Sequence, residues 1–398
     1  MKLHAYGTPA HATTTVLGRI STSPVTASER PDTILVGSLL GPQTLQGYAG
    51  ALTTQILDRV AASTLPCPVI FAIPSLDHLA DGDVVAITPQ GYVRTLYRRQ
   101  SPHNTLFATD RCNSYCLMCS QPPKNIDDAG RIAEHLRLID LIHQDTTELG
   151  ITGGEPTLLK DDLLRIIAHA KDRLPRTSLH LLSNGRLFYY ARFAQRLSAI
   201  QHHNLMIGIP LYSDLDTVHD YVVQAKGSYE ETIVGLHNLA RYDVPVELRV
   251  VLHQLTVPRL AKIAEFIYRN LPFARHVALM GLEMTGFTLP NKELLWADPW
   301  DYQTALEEAT TYLIERGMHV SIYNHQLCTI PRSMWPYARK SISDWKNEYL
   351  PVCSTCTVRD ACGGFFTSGI TRRYSKHINS ITADQFATPT DAKGLAAT

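Results

Sequence analysis

The chain has 398 residues, and its 37 basic and 37 acidic side chains give it no net charge. Its length exceeds what one hydrophobic core usually supports, so we expect one large domain with smaller additions. The balanced charge provides no long-range field that would attract nucleic acid or an anionic membrane. No apolar run approaches the roughly 20 residues of a membrane span, and the first residues lack a secretory pattern. We therefore expect a cytoplasmic protein without nucleic-acid or membrane partners.

Sequence patterns divide the chain into five parts. Residues 1–30 and 382–398 are rich in small polar residues without periodicity, which predicts mobile ends. Between 31 and 100, short β-prone runs joined by turn residues predict a small β-rich or α+β domain. From 101 to 323, helical and strand-like patterns alternate about six times, which favours right-handed crossovers and one parallel sheet. The remaining residues, 324–381, form a cysteine-rich extension.

The alternating region predicts an α/β fold, specifically a partial (β/α)6 barrel. The predicted helices are 131–144, 161–174, 189–199, 229–242, 258–271 and 299–315. The predicted strands that follow them are 148–152, 178–183, 205–212, 246–253, 276–281 and 320–323. In barrels of this type, functional residues gather at the C-terminal ends of the strands. The loops after these strands are therefore where we expect a site.

Most of the eight cysteines lie in two groups, which in a reducing cytosol indicates metal binding rather than disulfides. The first cysteine group is Cys112, Cys116 and Cys119, in a loop after a β-prone segment. Three thiolates can ligate three irons of a [4Fe-4S] cluster and leave the fourth iron open. A structural zinc ion normally takes four ligands, and no fourth ligand follows promptly. The isolated Cys67 is predicted to be a small buried side chain.

The C-x3-C-x2-C spacing of the first cysteine group resembles the signature of the radical S-adenosylmethionine (SAM) superfamily. The resemblance implies a partial barrel with a cluster on the loop after its first strand. It also implies that the open iron chelates SAM through the amino and carboxylate groups, and that an electron cleaves SAM to an adenosyl radical. Met118 stands where the family usually has an aromatic residue that contacts the adenine.

Two strand ends resemble other SAM-binding elements of this family. Gly153, Gly154 and Glu155 follow one predicted strand, and the resemblance implies that they hold the amino group of SAM through the backbone and the carboxylate. Ser183 and Asn184 end the next strand and resemble a segment that contacts SAM further along the rim. Taken alone, each segment is also typical of a plain turn.

Four residues on later strands are further candidates. Ser213 is our hypothesis for a ribose or carboxylate contact, in a segment that resembles peptide-modifying members of the family. Arg249 is predicted either to meet the SAM carboxylate or to be a salt-bridged surface residue. Tyr212 and Glu283 are the candidate catalytic residues. Glu283 is expected to face the substrate, although a loop carboxylate is also typical of a solvated surface.

The second cysteine group is Cys353, Cys356 and Cys362, with Cys328 as a possible fourth ligand. Four thiolates fit either a fully ligated [4Fe-4S] cluster or tetrahedral zinc, and spacing alone leaves both open. The run resembles the auxiliary-cluster extension called SPASM or twitch. Full SPASM domains carry another cysteine where this chain has Phe366. One auxiliary [4Fe-4S] cluster is the favoured interpretation.

Taken together, these segments resemble the radical SAM maturases of the His-Xaa-Ser peptide-modification systems. The resemblance implies a ribosomally made precursor peptide as substrate, companion maturation proteins, and an electron donor of the flavodoxin or ferredoxin type. Our hypothesis is hydrogen abstraction from a peptide residue. Two alternatives stay open: a small-molecule radical SAM enzyme of cofactor biosynthesis, and a non-catalytic Fe-S or zinc protein in electron transfer or scaffolding. The domain at 31–100 is expected either to bind the precursor or to serve packing.

Overall fold

The computed structural model describes residues 3–37, 41–340 and 347–382, so the predicted mobile tail lies outside the described residues except for its first position. The described strands form two sheets. The first sheet contains β1 (His4–Tyr6), β2 (Thr8–Ala10), β3 (Val16–Ser21), β4 (Thr33–Val36), β5 (Gly50–Leu52), β6 (Val69–Phe71), β7 (Val84–Ile87) and β8 (Tyr92–Tyr97). The second contains β9 (Asn104–Phe107), β10 (Glu148–Thr152), β11 (Ser178–Leu182), β12 (Leu205–Pro210), β13 (Val246–Leu252), β14 (His276–Gly281), β15 (Val320–Tyr323) and β16 (Ala338–Arg339).

The described α-helices lie mainly between the strands of the second sheet. They are α1 (Arg59–Ser63), α2 (Gly130–Leu141), α3 (Asp161–Arg173), α4 (Ala191–Ala199), α5 (Asp216–Val223), α6 (Ser228–Arg241), α7 (Leu260–Asn270), α8 (Lys292–Leu295), α9 (Gln303–Ile314) and α10 (Thr367–Arg372). In the described part of the chain, none of these helices combines the length and apolarity needed to cross a lipid bilayer.

The first sheet closes on itself. Its strand order is β1-β8-β7-β3-β4-β5-β6-β2, and its two end strands are joined in the chain through Gly7. A methyl group at Gly7 would lie 2.5 Å from the carbonyl oxygen of Phe71, so only glycine fits where the chain passes from one pairing to the other. The N-terminal segment therefore differs from the predicted mobile end. Its apolar residues Ala5 and Ile20 are buried in the core of this small barrel.

Polar contacts attach the small barrel to helix α2. The Nε atom of Arg19 donates a hydrogen bond to the Leu141 carbonyl at 2.7 Å, at the C-terminal end of the helix. Arg94 on β8 forms an ion pair with Glu134 at 2.6 Å. The N-terminal region is thus rich in β-strands, and it contacts the first helix of the larger sheet.

The second sheet has the predicted α/β architecture. Its strands lie in the order β16-β15-β14-β13-β12-β11-β10-β9, and every neighbouring pair is parallel. Helices α2, α3, α4, α6, α7 and α9 fall one by one between consecutive strands from β9 to β15. These six βα units confirm the mixed α/β fold with a parallel sheet, as the alternation predicted. The order leaves β9 and β16 at the edges.

The two faces of this sheet differ in polarity. Successive side chains of a strand point to opposite faces. On β13, Leu248 and Val250 belong to the large apolar core that the helices cover, whereas Glu247 and Arg249 lie on the other face. Hydrophobic burial is therefore concentrated on the helical side, which leaves the inner face available for polar groups.

Replacing Gly7 with alanine should lower the free energy of unfolding by about 1–3 kcal/mol, because overpacking a closely approached backbone costs this much. Thermal unfolding of purified variants measures the change. Gly130→Ala is the matched control, since a methyl group there meets no atom within 4 Å. If Gly7→Ala were as stable as the wild type, the small barrel would not be closed through this residue.

Candidate active site

A cavity of about 270 Å³ opens at the C-terminal ends of the parallel strands β10 to β15. The predicted site residues that line it are Cys112, Cys116, Met118, Cys119, Gly154, Glu155, Ser183, Asn184, Tyr212, Arg249 and Glu283. Gly153 and Ser213 are not among the lining residues. Loops that are far apart in sequence meet here because the strands are parallel and end at the same edge.

The first cysteine group lies on a loop that pairs with the end of helix α5. The backbone N–H of Tyr115 donates to the Val223 carbonyl at 3.0 Å, and that of Leu117 donates to the Val222 carbonyl at 2.9 Å. Within the loop, the N–H of Cys119 donates to the carbonyl of Cys116 at 2.9 Å. Helix α5 was not predicted from the sequence, and its end fixes the conformation of the cysteine loop.

The three thiols of this group share one partly desolvated environment. Burial raises the pKa of the Cys112 thiol to about 11. Burial, followed by the neighbouring Cys119 and Cys112, raises the pKa of Cys116 further. These shifts favour protonated thiols, so metal binding must release their protons.

The donor set and its surroundings fit a cluster with one open iron. Within the described residues, no group of three Cys, His, Asp or Glu side chains converges on one point as a single metal ion would require. A cubane has no such requirement, because each thiolate ligates a different iron. The three thiols line the same cavity as Gly154 and Glu155, so the open iron would face space for a second ligand.

The Gly153-Gly154 pair packs against the start of the cysteine loop. Methyl groups at Gly153 and Gly154 would lie 2.5 Å and 2.2 Å from the carbonyl oxygens of Thr109 and Arg111, respectively. The N–H of Gly154 donates to Thr109 at 2.7 Å, and that of Glu155 donates to Arg111 at 2.8 Å. Both positions thus require glycine because a side chain would collide with the neighbouring backbone. Of the two, only Gly154 also lines the cavity.

Glu155 is buried and joins the ends of β10 and β11. Its Oε1 accepts hydrogen bonds from the N–H and hydroxyl of Thr157, at 3.0 and 2.6 Å, and from the hydroxyl of Ser183 at 2.7 Å. Its Oε2 accepts the N–H of Asn184 at 2.6 Å. Burial raises the pKa of Glu155, while these donors oppose the rise. A carboxylate offers about four lone pairs, so Oε2 keeps capacity for one more donor from the cavity.

Asn184 and Arg186 attach the turn after β11 to the cysteine loop. The side-chain amide of Asn184 donates to Asn113 Oδ1 at 2.6 Å. Arg186 donates to the carbonyl of Asn113 and, at 3.2 Å, to the hydroxyl of Ser114. Its Nε also pairs with Glu231 at 2.5 Å. The sequence analysis missed Arg186, although its position directly after the Ser-Asn-Gly turn was a usable signal.

Tyr212 and Met118 form an apolar wall beside the cysteines. Both are buried, and they pack in one cluster with Val222, Val223 and Leu295, against which Cys116 also packs. Burial raises the pKa of Tyr212 well above its ordinary value, so its phenol stays neutral. Ser213 points elsewhere: its hydroxyl accepts the N–H of Leu215 at 3.1 Å, and the side chain is fully buried in this turn.

Arg249 and Glu283 lie on other parts of the cavity wall. Arg249 donates from Nη1 to Glu247 Oε1 at 2.8 Å, and its side chain is 17% exposed. Arg249 thus forms a salt bridge with Glu247 and also lines the cavity. Asn324 was not predicted. It lines the same wall with a left-handed φ of 61° and donates from Nδ2 to the carbonyl of Gly281 at 3.2 Å.

The second cysteine group assembles close to this wall. Cys328, Cys353, Cys356 and Cys362 line one small cavity, so the fold brings Cys328 to the other three. The hydroxyl of Tyr349 donates to the carbonyl of Cys362 at 2.9 Å. Asn324 and Cys328 lie on the same loop after β15, four residues apart, so their Cα atoms are at most roughly 15 Å apart.

Fold and site together define an α/β protein whose parallel sheet presents a cysteine loop, a glycine-rich turn and a buried carboxylate to one cavity. Residues 106–267 match the model of the Radical SAM superfamily. This segment is therefore similar to the domain that defines radical SAM enzymes, which bind a [4Fe-4S] cluster and SAM.

Comparisons with individual proteins each cover between 55% and 64% of this chain. An uncharacterized protein of Methanocaldococcus jannaschii is 21% identical over 261 residues, which are 64% of this chain and 85% of that protein. Streptococcus suis SuiB bound to S-adenosylmethionine aligns with a TM-score of 0.47 and 13% identity over 64% of this chain. Native anSMEcpe with bound AdoMet and Cp18Cys peptide aligns with a TM-score of 0.43 and 18% identity over 55% of this chain. The chain spans only 56% of the SuiB chain and 62% of the anSMEcpe chain.

Gly154→Ala should displace the cysteine loop, because the new methyl group would collide with the carbonyl of Arg111. We expect anaerobic reconstitution of this variant to yield about four fewer irons per chain, equivalent to one cubane. Iron and sulfide analysis measures the loss, with Gly130→Ala as the control that keeps its iron. Full iron content in Gly154→Ala would contradict the close backbone packing described here.

Proposed function

We propose that this protein reductively cleaves SAM and modifies a ribosomally made precursor peptide by hydrogen abstraction. The observation that carries the proposal is the joint lining of one cavity by the first cysteine group, Glu155 and Arg249. These groups complement the parts of SAM: three thiolates for a cluster with an open iron, an acceptor for the ammonium and a donor for the carboxylate. The radical SAM superfamily domain covers this region.

A [4Fe-4S] cluster with one open iron, when bound, supplies the electron for cleavage of the SAM sulfonium. The residues of the chain position SAM and exclude water. In the proposal, Glu155 Oε2 accepts an N–H of the amino group, Arg249 donates to the carboxylate, and Gly154 borders the cavity where the ligand binds. Tyr212 and Met118 cover the cysteines with an apolar wall, and Ser183 and Asn184 hold Glu155 in place.

The space beside the cavity favours a peptide as the substrate in this proposal. A groove between the strand ends and the C-terminal extension shares Gly281, Leu282 and Asn324 with the cavity. The aromatic residues of its walls are Trp296, Tyr302, Phe365, Phe366 and Tyr374. This groove has a volume of only about 40 Å³, so in the proposal it holds one small side chain of the peptide beside the cavity. In the proposal, Glu283 faces the peptide residue that carries it.

The second cysteine group is the proposed place of an auxiliary [4Fe-4S] cluster. Closing a new bond after hydrogen abstraction requires the substrate to give up an electron. An electron acceptor at Cys328, Cys353, Cys356 and Cys362 would lie next to the groove, since Gln326 and Phe365 line both. Four thiolates also suit tetrahedral zinc, which would be redox-inactive.

Further parts of the proposal come from the resemblance to the His-Xaa-Ser maturases. They are the SPASM or twitch character of the extension, companion maturation proteins, and a flavodoxin or ferredoxin as electron donor. A cytoplasmic location agrees with this chemistry, because exposed clusters and free thiols persist in a reducing compartment. The N-terminal barrel is either the binding module for the precursor or a packing element of the larger sheet.

Hydrogen abstraction can be followed with a synthetic His-Xaa-Ser repeat peptide that carries deuterium on carbon. We expect the reconstituted, reduced wild type to convert SAM to 5′-deoxyadenosine that contains deuterium, as measured by mass spectrometry. Cys116→Ala should form none, because the cluster loses a ligand. Cys67→Ala is the matched control and should stay active, since Cys67 is buried in a second apolar cluster of the N-terminal region, which contains no residue of the cavity.

The same experiment separates the alternatives. Deuterium transfer from a labelled metabolite extract, and none from the peptide, would favour a small-molecule enzyme of cofactor biosynthesis. Absence of 5′-deoxyadenosine under every condition would favour a non-catalytic metal protein and would refute the proposed function.

Metal analysis tests the second cysteine group. The reconstituted wild type should contain about eight irons per chain, and a Cys353→Ala/Cys356→Ala/Cys362→Ala variant should keep about four. Electron paramagnetic resonance of that variant should still respond to SAM, because the first cysteine group is intact. About four irons together with one zinc in the wild type would overturn the auxiliary cluster and leave the SAM site unaffected.

A further inference from the structure

A group of hydrogen-bonded polar residues lies on the inner face of the parallel sheet and includes Arg249, which lines the cavity. Glu247 on β13 accepts Arg249 Nη1 at 2.8 Å through Oε1, and its Oε2 lies 2.8 Å from Nδ1 of His276 on β14. The other ring nitrogen of His276 lies 2.9 Å from the hydroxyl of Ser321 on β15. His180 on β11 lies 3.5 Å from Oε1 of Glu247. Four strands thus contribute to one network.

The network keeps Glu247 ionised although its side chain is only 10% exposed. Burial alone would raise the pKa of Glu247, but His180, His276 and the charge of Arg249 together hold this pKa well below its ordinary value. A buried ion pair is costly to desolvate, and an apolar pair of the same volume is often as stable. Stability alone therefore gives no reason for a carboxylate at this place.

The neighbouring strand β12 leaves space for the side chain of Arg249. Gly208 on β12 is the register partner of Glu247. A methyl group at Gly208 would lie 3.1 Å from Cδ of Arg249 and 3.0 Å from Nε2 of His180. The bare backbone at Gly208 thus makes room for the arginine stem. A guanidinium is planar with five N–H donors, so one bond to Glu247 restricts its plane and leaves other donors for a ligand.

We propose that Glu247 is a positioning residue that orients Arg249 toward the carboxylate of SAM. The inference rests on the proposed function, because it concerns the same ligand. His276 and Ser321 act behind Glu247 by fixing the carboxylate, and Gly208 provides the space.

Charge balance gives Glu247 a second role. SAM carries a sulfonium and an ammonium against one carboxylate, so it enters the cavity with a net positive charge. An arginine without its counter-ion would repel that cation in a poorly solvated cavity. The Glu247–Arg249 pair is neutral overall, and it still offers directed N–H donors to the ligand carboxylate.

Calorimetry with two ligands tests this role on the cluster-loaded protein. The probes are SAM and methylthioadenosine, a neutral thioether that has the adenosine part but lacks the carboxylate, the ammonium and the sulfonium charge of SAM. Glu247→Gln should weaken SAM binding about tenfold or more, the scale of a hydrogen bond to a charged group, and leave methylthioadenosine binding unchanged. Arg249→Met should show the same selectivity. The double variant should lose no more SAM affinity than Arg249→Met alone, because Glu247 acts through the arginine.

Glu134→Gln is the matched control, since Glu134 is another partly buried carboxylate that pairs with an arginine, Arg94, far from the cavity. It should bind both ligands as the wild type does. If Glu247→Gln fails to fold, Ser321→Ala loosens His276 more mildly and should weaken SAM binding about two- to threefold with methylthioadenosine unaffected.

Three other results would overturn the inference, and each has a different consequence. Unchanged SAM affinity in Glu247→Gln, or in Ser321→Ala where that variant replaces it, refutes the positioning role and leaves the proposed function intact. Equal losses for both ligands indicate general damage to the cavity and also refute the role. A wild type that binds no SAM refutes the proposed function itself.

Discussion

The site depends on one close backbone approach, between the loop after β9 and the turn after β10. Thr109 and Arg111 accept hydrogen bonds from the N–H groups of Gly154 and Glu155, and their carbonyl groups leave no space for a side chain at Gly153 or Gly154. This contact places the first cysteine group above the strand ends. It also places Glu155 where it can join β10 to β11. The proposed metal ligands and the proposed acceptor for the amino group of SAM are thus positioned by the same hydrogen bonds.

Much of this arrangement was predictable because its signals are local. The cysteine spacing, the Gly-Gly-Glu turn and the alternation of helices with strands each lie within short windows of sequence. The helix predicted at 131–144 is observed at Gly130–Leu141, and the strand predicted at 276–281 is observed at His276–Gly281. Parallel strands that end at one edge then bring the separate loops together. Knowing the fold class was therefore enough to expect most of the cavity lining.

Features that depend on long-range partners were not predictable. Closure of the small barrel requires Ala5 to pair with Val93 and Pro9 to pair with Ile70, and neither short strand has a distinctive pattern. Helix α5 clamps the cysteine loop through backbone groups, which carry no residue-specific signal. Ser213 was a hypothesis for a ribose or carboxylate contact because its segment resembles peptide-modifying members of the family, whereas its hydroxyl accepts the N–H of Leu215 in the local turn. Sequence spacing places a residue near a site and does not give its hydrogen-bond partner.

The inner face of the parallel sheet links the fold to its chemistry. In closed barrels this face is filled by layers of branched apolar side chains. Here Glu247, His276 and Ser321 form one hydrogen-bonded network on this face, near the beginnings of β13, β14 and β15. The apolar core lies on the helical face. Folding therefore draws its hydrophobic stabilisation from one side of each strand, and the other side can specialise. A polar network that fixes an arginine of a cysteine-lined cavity is the kind of specialisation that ligand binding explains and packing does not.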